Sequence, residues 1–247
     1  MIAIAPATVL TEEHPLDVAR VAADRISETV RRAIAANETA SLALSGGTTP
    51  RDTYERLATA QRVDWFKVSL FWVDERAVAP TDARSNFLMA RSALIDRVGL
   101  DWKRIWRMPA DSPDIDGAAL EYARLLRSQV AADDDGVPAL DVAVLGLGAD
   151  GHTASLFPGE STVELRNALV ASVVARGVRE ARLTVTAPVL EHARNVFVLV
   201  VGKEKRAAVA RVFSADGSDS STPGRVLRRC RGSVTWILDK EAAGGDG

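Results

Sequence analysis

Residues 140–158, LDVAVLGLGADGHTASLFP, run an apolar strand straight into a glycine-rich turn that carries an aspartate and a histidine. An imidazole titrates near neutral pH, so His152 stands where a general base would be wanted. Gly146, Gly148 and Gly151 permit positive φ and let backbone amides approach a ligand closely, which holds Asp150 and His152 at the carboxyl end of the strand. The plainer reading of His152 is a polar loop residue, but the glycines around it favour the base. The other histidines, His14 and His192, fall at the polar entry to a helix and within a helical stretch, and read as surface or capping residues.

Three more clusters carry polar groups at strand ends, where open α/β sheets bind their ligands. Ser45-Gly46-Gly47-Thr48 precedes a helix with Pro50 in its first turn. Free amides and the positive end of a helix dipole make an anion site there without a lysine in the loop, and the Gly-Lys-Ser/Thr ending of a Walker loop is absent. A tight turn with Thr48 or Thr49 as N-cap would explain the same residues. Asp74-Glu75-Arg76 closes an apolar strand; it reads either as a structural ion pair or as Arg76 gripping a phosphate or carboxylate, with Asp74 holding an imidazole or a sugar hydroxyl. Lys203 and Lys205 open another helix, where a cation opposes the dipole unless an anion lies nearby; a solvated charge pair is the alternative.

Gly146-x-Gly148-x-x-Gly151 also fits the dinucleotide fingerprint, but Pro158 and Gly159 interrupt the required helix, and the acid expected about 20 positions on is replaced by Arg166. No organic cofactor is therefore expected. Acidic residues and histidines do not converge at ligand-like spacing, so no metal is expected either.

Strands must carry these turns. Apolar runs predict strands at 2–4, 39–44, 68–73, 142–145, 169–174, 183–186, 196–201 and 233–238. Helical spacing covers 15–36, 51–60, 86–98, 115–130 and 203–213. The alternation predicts an α/β fold: a doubly wound, mostly parallel sheet with helices on both faces. The 247 residues, 47% of them apolar, suffice for one core, so the chain reads as a single α/β domain, with a smaller subregion around 155–195 and a flexible tail over 241–247. The tryptophans at 65, 72, 102, 106 and 236 read as core or rim packing.

A formal net charge of -2 argues against a nucleic-acid binder. The lone Cys230 excludes an internal disulfide and a cysteine metal cluster, and no N-terminal apolar segment is long enough for a signal or a membrane span. The expectation is a cytoplasmic enzyme of small-molecule chemistry, monomeric or weakly dimeric.

The runs LALSGGTTPRDTY, LFWVDER, SNFLMAR, GLGADGHTASLFPG, RLTVTAPVL and VVGKEKRAAV, in this order and spacing, resemble the 6-phosphogluconolactonase family over about residues 39–239. The resemblance implies hydrolysis of 6-phospho-D-glucono-1,5-lactone to 6-phosphogluconate in the oxidative pentose phosphate pathway, with neither metal nor organic cofactor. It also implies a fold shared with glucosamine-6-phosphate deaminase and ribose-5-phosphate isomerase. By that likeness His152 is the catalytic base and Asp74 lies beside the sugar ring. Ser45, Gly46, Gly47 and Thr48 cradle the phosphate, with Arg76 and Lys205 adding charge and Asp150, Gly148 and Arg182 in support. Lys205 is preferred to Lys203 because the family's lysine follows its glycine, here Gly202, by three residues. The segment 221–226 follows the family pattern only loosely, and Arg228, Arg229 and Arg231 make that region unusually basic.

A water activated by either nitrogen of His152 would attack C1 of a lactone that is already electrophilic. Amides near Gly146 to Gly148, or a nearby cation, would receive the oxyanion. Asp150 or Asp74 would orient the ring. Deaminases on this scaffold carry a glutamate five residues after the histidine; this chain has Phe157 there, which cannot transfer a proton. A sugar-phosphate sensor that keeps the anchor without the chemistry is the rival of another class.

Overall fold

The computed structural model describes residues 7–60 and 63–244. Its main sheet has six strands, all parallel: β1 (Thr8–Glu12), β2 (Ala40–Leu44), β3 (Val68–Trp72), β5 (Val142–Gly146), β8 (Asn195–Val200) and β9 (Ser233–Asp239), in the spatial order β1-β9-β8-β5-β2-β3. A parallel sheet needs covering on both faces, and the interior strands have the composition for it. All five residues of β2, ASLAL, are buried, as are Val142 to Leu145 of β5. The strand anticipated at residues 2–4 lies outside the described residues. The edge strand at Thr8–Glu12 alternates, mostly exposed, and carries little apolar signal of its own.

Helices flank the sheet. In α1 (Pro15–Asn37), Val18, Ala22, Ile26 and Val30 recur at helical spacing, are buried, and pack on β2, β8 and β9. Burying an aliphatic side chain of the size of Ile26 stabilises by roughly 1.5–3 kcal/mol, so this stripe fixes the helix on the sheet. His14 occupies its N-cap position but its side chain makes no cap hydrogen bond; it is an exposed surface residue. The other helices are α2 (Thr48–Leu57), α3 (Asn86–Ala93), α4 (Ile115–Gln129), α5 (Ala187–His192), α6 (Arg206–Phe213) and a short α7 (Lys240–Ala243). No described helix is long and apolar enough to cross a membrane.

Residues 74–76 do not simply end the preceding strand. After Trp72 the chain bends at Val73, whose amide still donates to Leu44 O at 2.9 Å, and Asp74–Arg76 become β4 of a second, three-stranded antiparallel sheet with β7 (Arg182–Val185) and β6 (Val170–Val173). Part of the region singled out at 155–195 is thus the hairpin β6–β7 of this smaller sheet.

Several boundaries differ for physical reasons. Helix α2 opens at Thr48, not at residue 51, because Gly47 (φ 109°) supplies the turn and Pro50 has no amide to lose within the first helical turn. Helix α3 ends at Ala93 and gives way to a 3-10 turn over Ile95–Arg97. The tail anticipated from residue 241 instead begins as α7, whose N-cap Asp239 accepts from Ala242 N at 2.9 Å. Of the tryptophans, Trp65, Trp72 and Trp236 are buried and Trp106 is half-buried, while Trp102 is exposed under the guanidinium of Arg91.

Candidate active site

Parallel strands deliver all their carboxyl ends to one edge of the sheet. Here β8, β5, β2 and β3 lie side by side, and the turns that leave them line one cleft of about 500 Å³. Ser45, Gly46, Gly47, Thr48, Asp74, Arg76, Gly148, His152, Arg182 and Lys205 all face this cleft. Asp150 does not line it, and Lys203 is exposed outside it.

The loop after β2 is built around Tyr54. Its buried hydroxyl accepts from Ser45 N at 2.9 Å and donates to Ser45 O at 3.1 Å, so helix α2 grips the loop that precedes it. Burial pushes the Tyr54 phenol well above its ordinary range, which keeps that hydroxyl protonated. Neither Thr48 nor Thr49 caps the helix: the N-cap is Gly47, with no side-chain hydrogen bond, so the first amides remain available to a ligand. Ser45 Oγ is buried without a partner. A Cβ on Gly46 would collide with the Asn86 side chain, which explains the glycine by close packing. Tyr54→Phe removes both partners of the Ser45 backbone, and the expected cost is about 1–3 kcal/mol in denaturant unfolding, with weaker binding of a phosphate ligand.

The turn from β3 into β4 is fixed by Glu75, not by an Asp–Arg ion pair within the triplet. Its carboxylate accepts from Arg76 N (2.8 Å), Asn86 N (2.7 Å), Phe87 N (2.8 Å) and Ser85 Oγ (3.0 Å), closing the start of α3. Burial pushes this carboxyl above its ordinary value, against the pull of those donors. Asp74 meets Ser155 Oγ at 2.6 Å and Asn86 Nδ2 at 3.1 Å, with Arg182 Nη1 at 3.7 Å. Arg76 is anchored through Arg84 O.

In the turn after β5, His152 Nδ1 lies 2.6 Å from Asp150 Oδ1, and the same oxygen accepts from His152 N at 3.0 Å. Asp150, not Asp74, is therefore the imidazole's partner. With a carboxylate as acceptor, Nδ1 carries the hydrogen and Nε2 keeps its lone pair. Burial would raise the Asp150 carboxyl, but the hydrogen bonds from the His152 ring and backbone outweigh it and hold it at about 2. Gly148 is required here, since a Cβ would strike His152 Nδ1 and Asp150 Oδ1. Its amide is already used, donating to His152 O at 2.8 Å. Phe157 stacks beside the imidazole with ring centroids 4.6 Å apart, and Arg179 covers it at 4.1 Å.

The C-terminal segment supports this turn from behind. Gly224 N donates to Gly151 O at 2.8 Å, and Arg211 Nη2 to Ala149 O at 3.0 Å. Arg225, buried, binds the carbonyls of Arg211, Ser214 and Asp216 at 2.8–3.0 Å around the end of α6. Two members of the basic run are ion-paired, Arg229 with Glu191 and Asp219 and Arg231 with Asp135, while Arg228 donates to Ser214 O at 2.8 Å. His192 differs from the surface residue expected; its side chain is nearly buried, with Nδ1 2.5 Å from Asp133.

Asn86, Ser155 and Glu204 also belong to this region and were given no role from sequence. The first two lie inside the runs SNFLMAR and HTASLFP, where a polar residue next to apolar neighbours was the available signal. Among the described residues no group of three or more His, Cys, Asp or Glu side chains gathers as a metal site would.

Fold and cleft together define a doubly wound α/β protein in which an uncapped helix start lines the same cleft as a histidine paired with an aspartate. The chain belongs to the family described as glucosamine-6-phosphate isomerases/6-phosphogluconolactonase, whose family model matches residues 13–236, and within it to the 6-phosphogluconolactonases. It is 38% identical over 202 residues to a 6-phosphogluconolactonase of a Nostoc species, covering 82% of each chain. It is 35% identical over 229 residues to that of Mycobacterium tuberculosis, covering 90% of this chain and 91% of that one. The crystal structure of 6-phosphogluconolactonase from Leishmania guyanensis superposes with a TM-score of 0.87 at 28% identity, over 98% of this chain and 99% of that one. A monomeric glucosamine-6-phosphate deaminase of the NagB superfamily shares the fold, with a TM-score of 0.82 at 20% identity over 96% and 99%.

Proposed function

We propose that this protein hydrolyses 6-phospho-D-glucono-1,5-lactone to 6-phosphogluconate, with His152 as general base. The observation that carries the reading is the His152–Asp150 pair, which leaves Nε2 unpaired in a cleft whose far wall is an uncapped helix start. The phosphate sits on the amides of residues 46–48, with Arg76 and Lys205 supplying charge. Lys205 has no ion pair or hydrogen bond among the described residues, so nothing competes for it.

Nε2 takes a proton from water as the water oxygen bonds to C1. The tetrahedral intermediate collapses with cleavage of the bond from C1 to the ring oxygen, which receives that proton back from the imidazolium. The new carboxylic acid ionises and releases a proton. Asp74, held by Ser155 and Asn86, lies beside the sugar ring. Phe157, at the place of the deaminase glutamate, gives no proton path for ring opening and disfavours the isomerase reading.

The test is acid release from freshly generated lactone against its spontaneous hydrolysis, with a chelator present. Strong acceleration supports the proposal; a folded protein that binds 6-phosphogluconate without accelerating hydrolysis is a sensor.

The pH dependence follows from Asp150. Its folded value is depressed from 3.8 to about 2, so its pairing stabilises the fold above the ordinary carboxyl value, and that contribution is lost as the pH falls through about 2. Asp150 is thus ionised wherever the enzyme works, and Asp150→Asn, which removes that charge beside His152 Nδ1, is expected to lower the plateau of kcat/KM in a pH–rate profile.

A further inference from the structure

The Asp150 carboxylate is half exposed and bonds to His152 N and Nδ1, within one tripeptide. Its direction relative to the cleft is therefore set by the backbone of residues 149–152. That backbone lies in a turn with glycines at 146, 148 and 151, the residue type that restrains a chain least. Three successive peptide units decide its shape. The middle one is tied inside the turn, with Gly151 N donating to Gly148 O at 2.9 Å. The two that flank it are tied from outside: Gly151 O accepts from Gly224 N at 2.8 Å, and Ala149 O from Arg211 Nη2 at 3.0 Å.

Arg211 is an exposed residue in the last turn of α6. Its backbone is fixed by Arg225, whose buried guanidinium lies across the carboxyl end of that helix. It donates to Arg211 O at 2.9 Å, Ser214 O at 2.8 Å and Asp216 O at 3.0 Å. The helix dipole favours a cation there, and the guanidinium serves carbonyls that have no partner within the helix. Gly224, the other outside tie, is the residue before Arg225. A Cβ on it would meet Leu147 Cδ1 of the turn at 2.8 Å and Val212 Cγ2 of α6 at 3.0 Å, so it is wedged between the two. Both ties thus start from one node. Arg211 and Arg225 fall outside the runs that carry the likeness to the family, which gives neither of them a role.

We infer that Arg211 is a positioning residue for turnover: through Ala149 O it holds the Asp150 carboxylate on His152 Nδ1, and so keeps Nε2 as the nitrogen with the lone pair. This rests on the lactonase reading and adds to it a residue outside the cleft that acts through the His152–Asp150 pair. Without the guanidinium the 149–150 peptide is free to rotate. Asp150 then leaves Nδ1, and the ring hydrogen redistributes between the two nitrogens.

The test is Arg211→Gln in the full chain, read in two ways. The chain has three histidines, so long-range proton–nitrogen NMR spectra of the neutral rings, with His152→Ala for assignment, report which nitrogen of His152 carries the hydrogen. Wild type is expected in the Nδ1–H form, and Arg211→Gln as a mixture with Nε2–H. In lactone hydrolysis the variant is expected to lose up to about 10²-fold in kcat, the cost of a displaced reacting group, with KM and melting temperature unchanged. Arg211→Lys, which keeps a donor, should recover part of both readouts. Arg228→Gln loses a 2.8 Å bond to Ser214 O at the same helix end but none to the turn, and should leave both at wild type.

A wild-type kcat in Arg211→Gln overturns the inference, as does a fallen kcat with His152 still in the Nδ1–H form. Equal losses in Arg228→Gln would assign the effect to the packing of α6 and overturn it as well. Should the wild type fail to accelerate lactone hydrolysis, the lactonase reading falls and the role in turnover with it. The NMR comparison, which needs no substrate, separates that case from a failure of Arg211 to hold the pair.

Discussion

His152→Ala is expected to lower kcat by about 10²- to 10⁴-fold, the range that a positioned general base contributes, while 6-phosphogluconate binds as before. The expectation follows from a division of labour within the cleft. On the proposed reading the phosphate is held by the loop after β2, Arg76 and Lys205, whereas His152 stands on the turn after β5 and touches Asp150 and Phe157. Removing the imidazole leaves those contacts in place, so the loss belongs in kcat and not in KM. Calorimetric binding of 6-phosphogluconate beside steady-state kinetics reads both. Turnover near wild type in His152→Ala would end the general-base assignment. Arg76→Ala should behave in the opposite manner, weakening binding first.

Gly148→Ala is expected to be nearly as damaging, although the substitution adds one methyl and leaves every polar group in place. The added carbon would occupy the space now held by His152 Nδ1 and Asp150 Oδ1. Both are ends of mobile side chains, so the dyad moves and the fold survives. Displacement of a reacting group by about 1 Å can cost about 10²-fold in rate, and a loss of that order with little change in melting temperature is the expected result. A fully active Gly148→Ala would mean that the dyad geometry has no part in turnover. A melting temperature that falls as steeply as the rate would assign Gly148 to packing instead.

The parts of this site that could be read in the sequence were those written in local chemistry. Glycine spacing after an apolar run located His152, and the match to the family's motifs placed Ser45 to Thr48, Arg76 and Lys205, all of which line the cleft. What could not be read depends on partners distant in sequence. Whether Asp74 or Asp150 meets the imidazole is decided by the tight turn at Gly148 to His152 and by the reach of Asn86 and Ser155 to Asp74. The triplet 74–76 looked like the end of a strand because nothing local marks the change of sheet at Val73. That change is set by pairing with β7, more than a hundred residues later. The basic C-terminal run likewise looked anomalous without Glu191, Asp219 and Asp135, which pair with Arg229 and Arg231. Among the main-sheet strands, β1 was the one missed, since an exposed, alternating edge segment carries no buried run.

That edge strand also bears on how the chain assembles. β1 pairs only with β9, so Thr8 waits for Thr235, and nearly the whole polypeptide must leave the ribosome before the first strand finds its neighbour. Non-local pairing of this kind slows folding, and synthesis at about 5–20 residues per second leaves the segment unpaired for many seconds. The turn that carries His152 waits in the same way, because Gly224 N, near the end of the chain, braces it through Gly151 O. A nascent or C-terminally shortened chain would then hold its histidine but lack β9 and the brace at Gly224, and activity would emerge as the final event of folding.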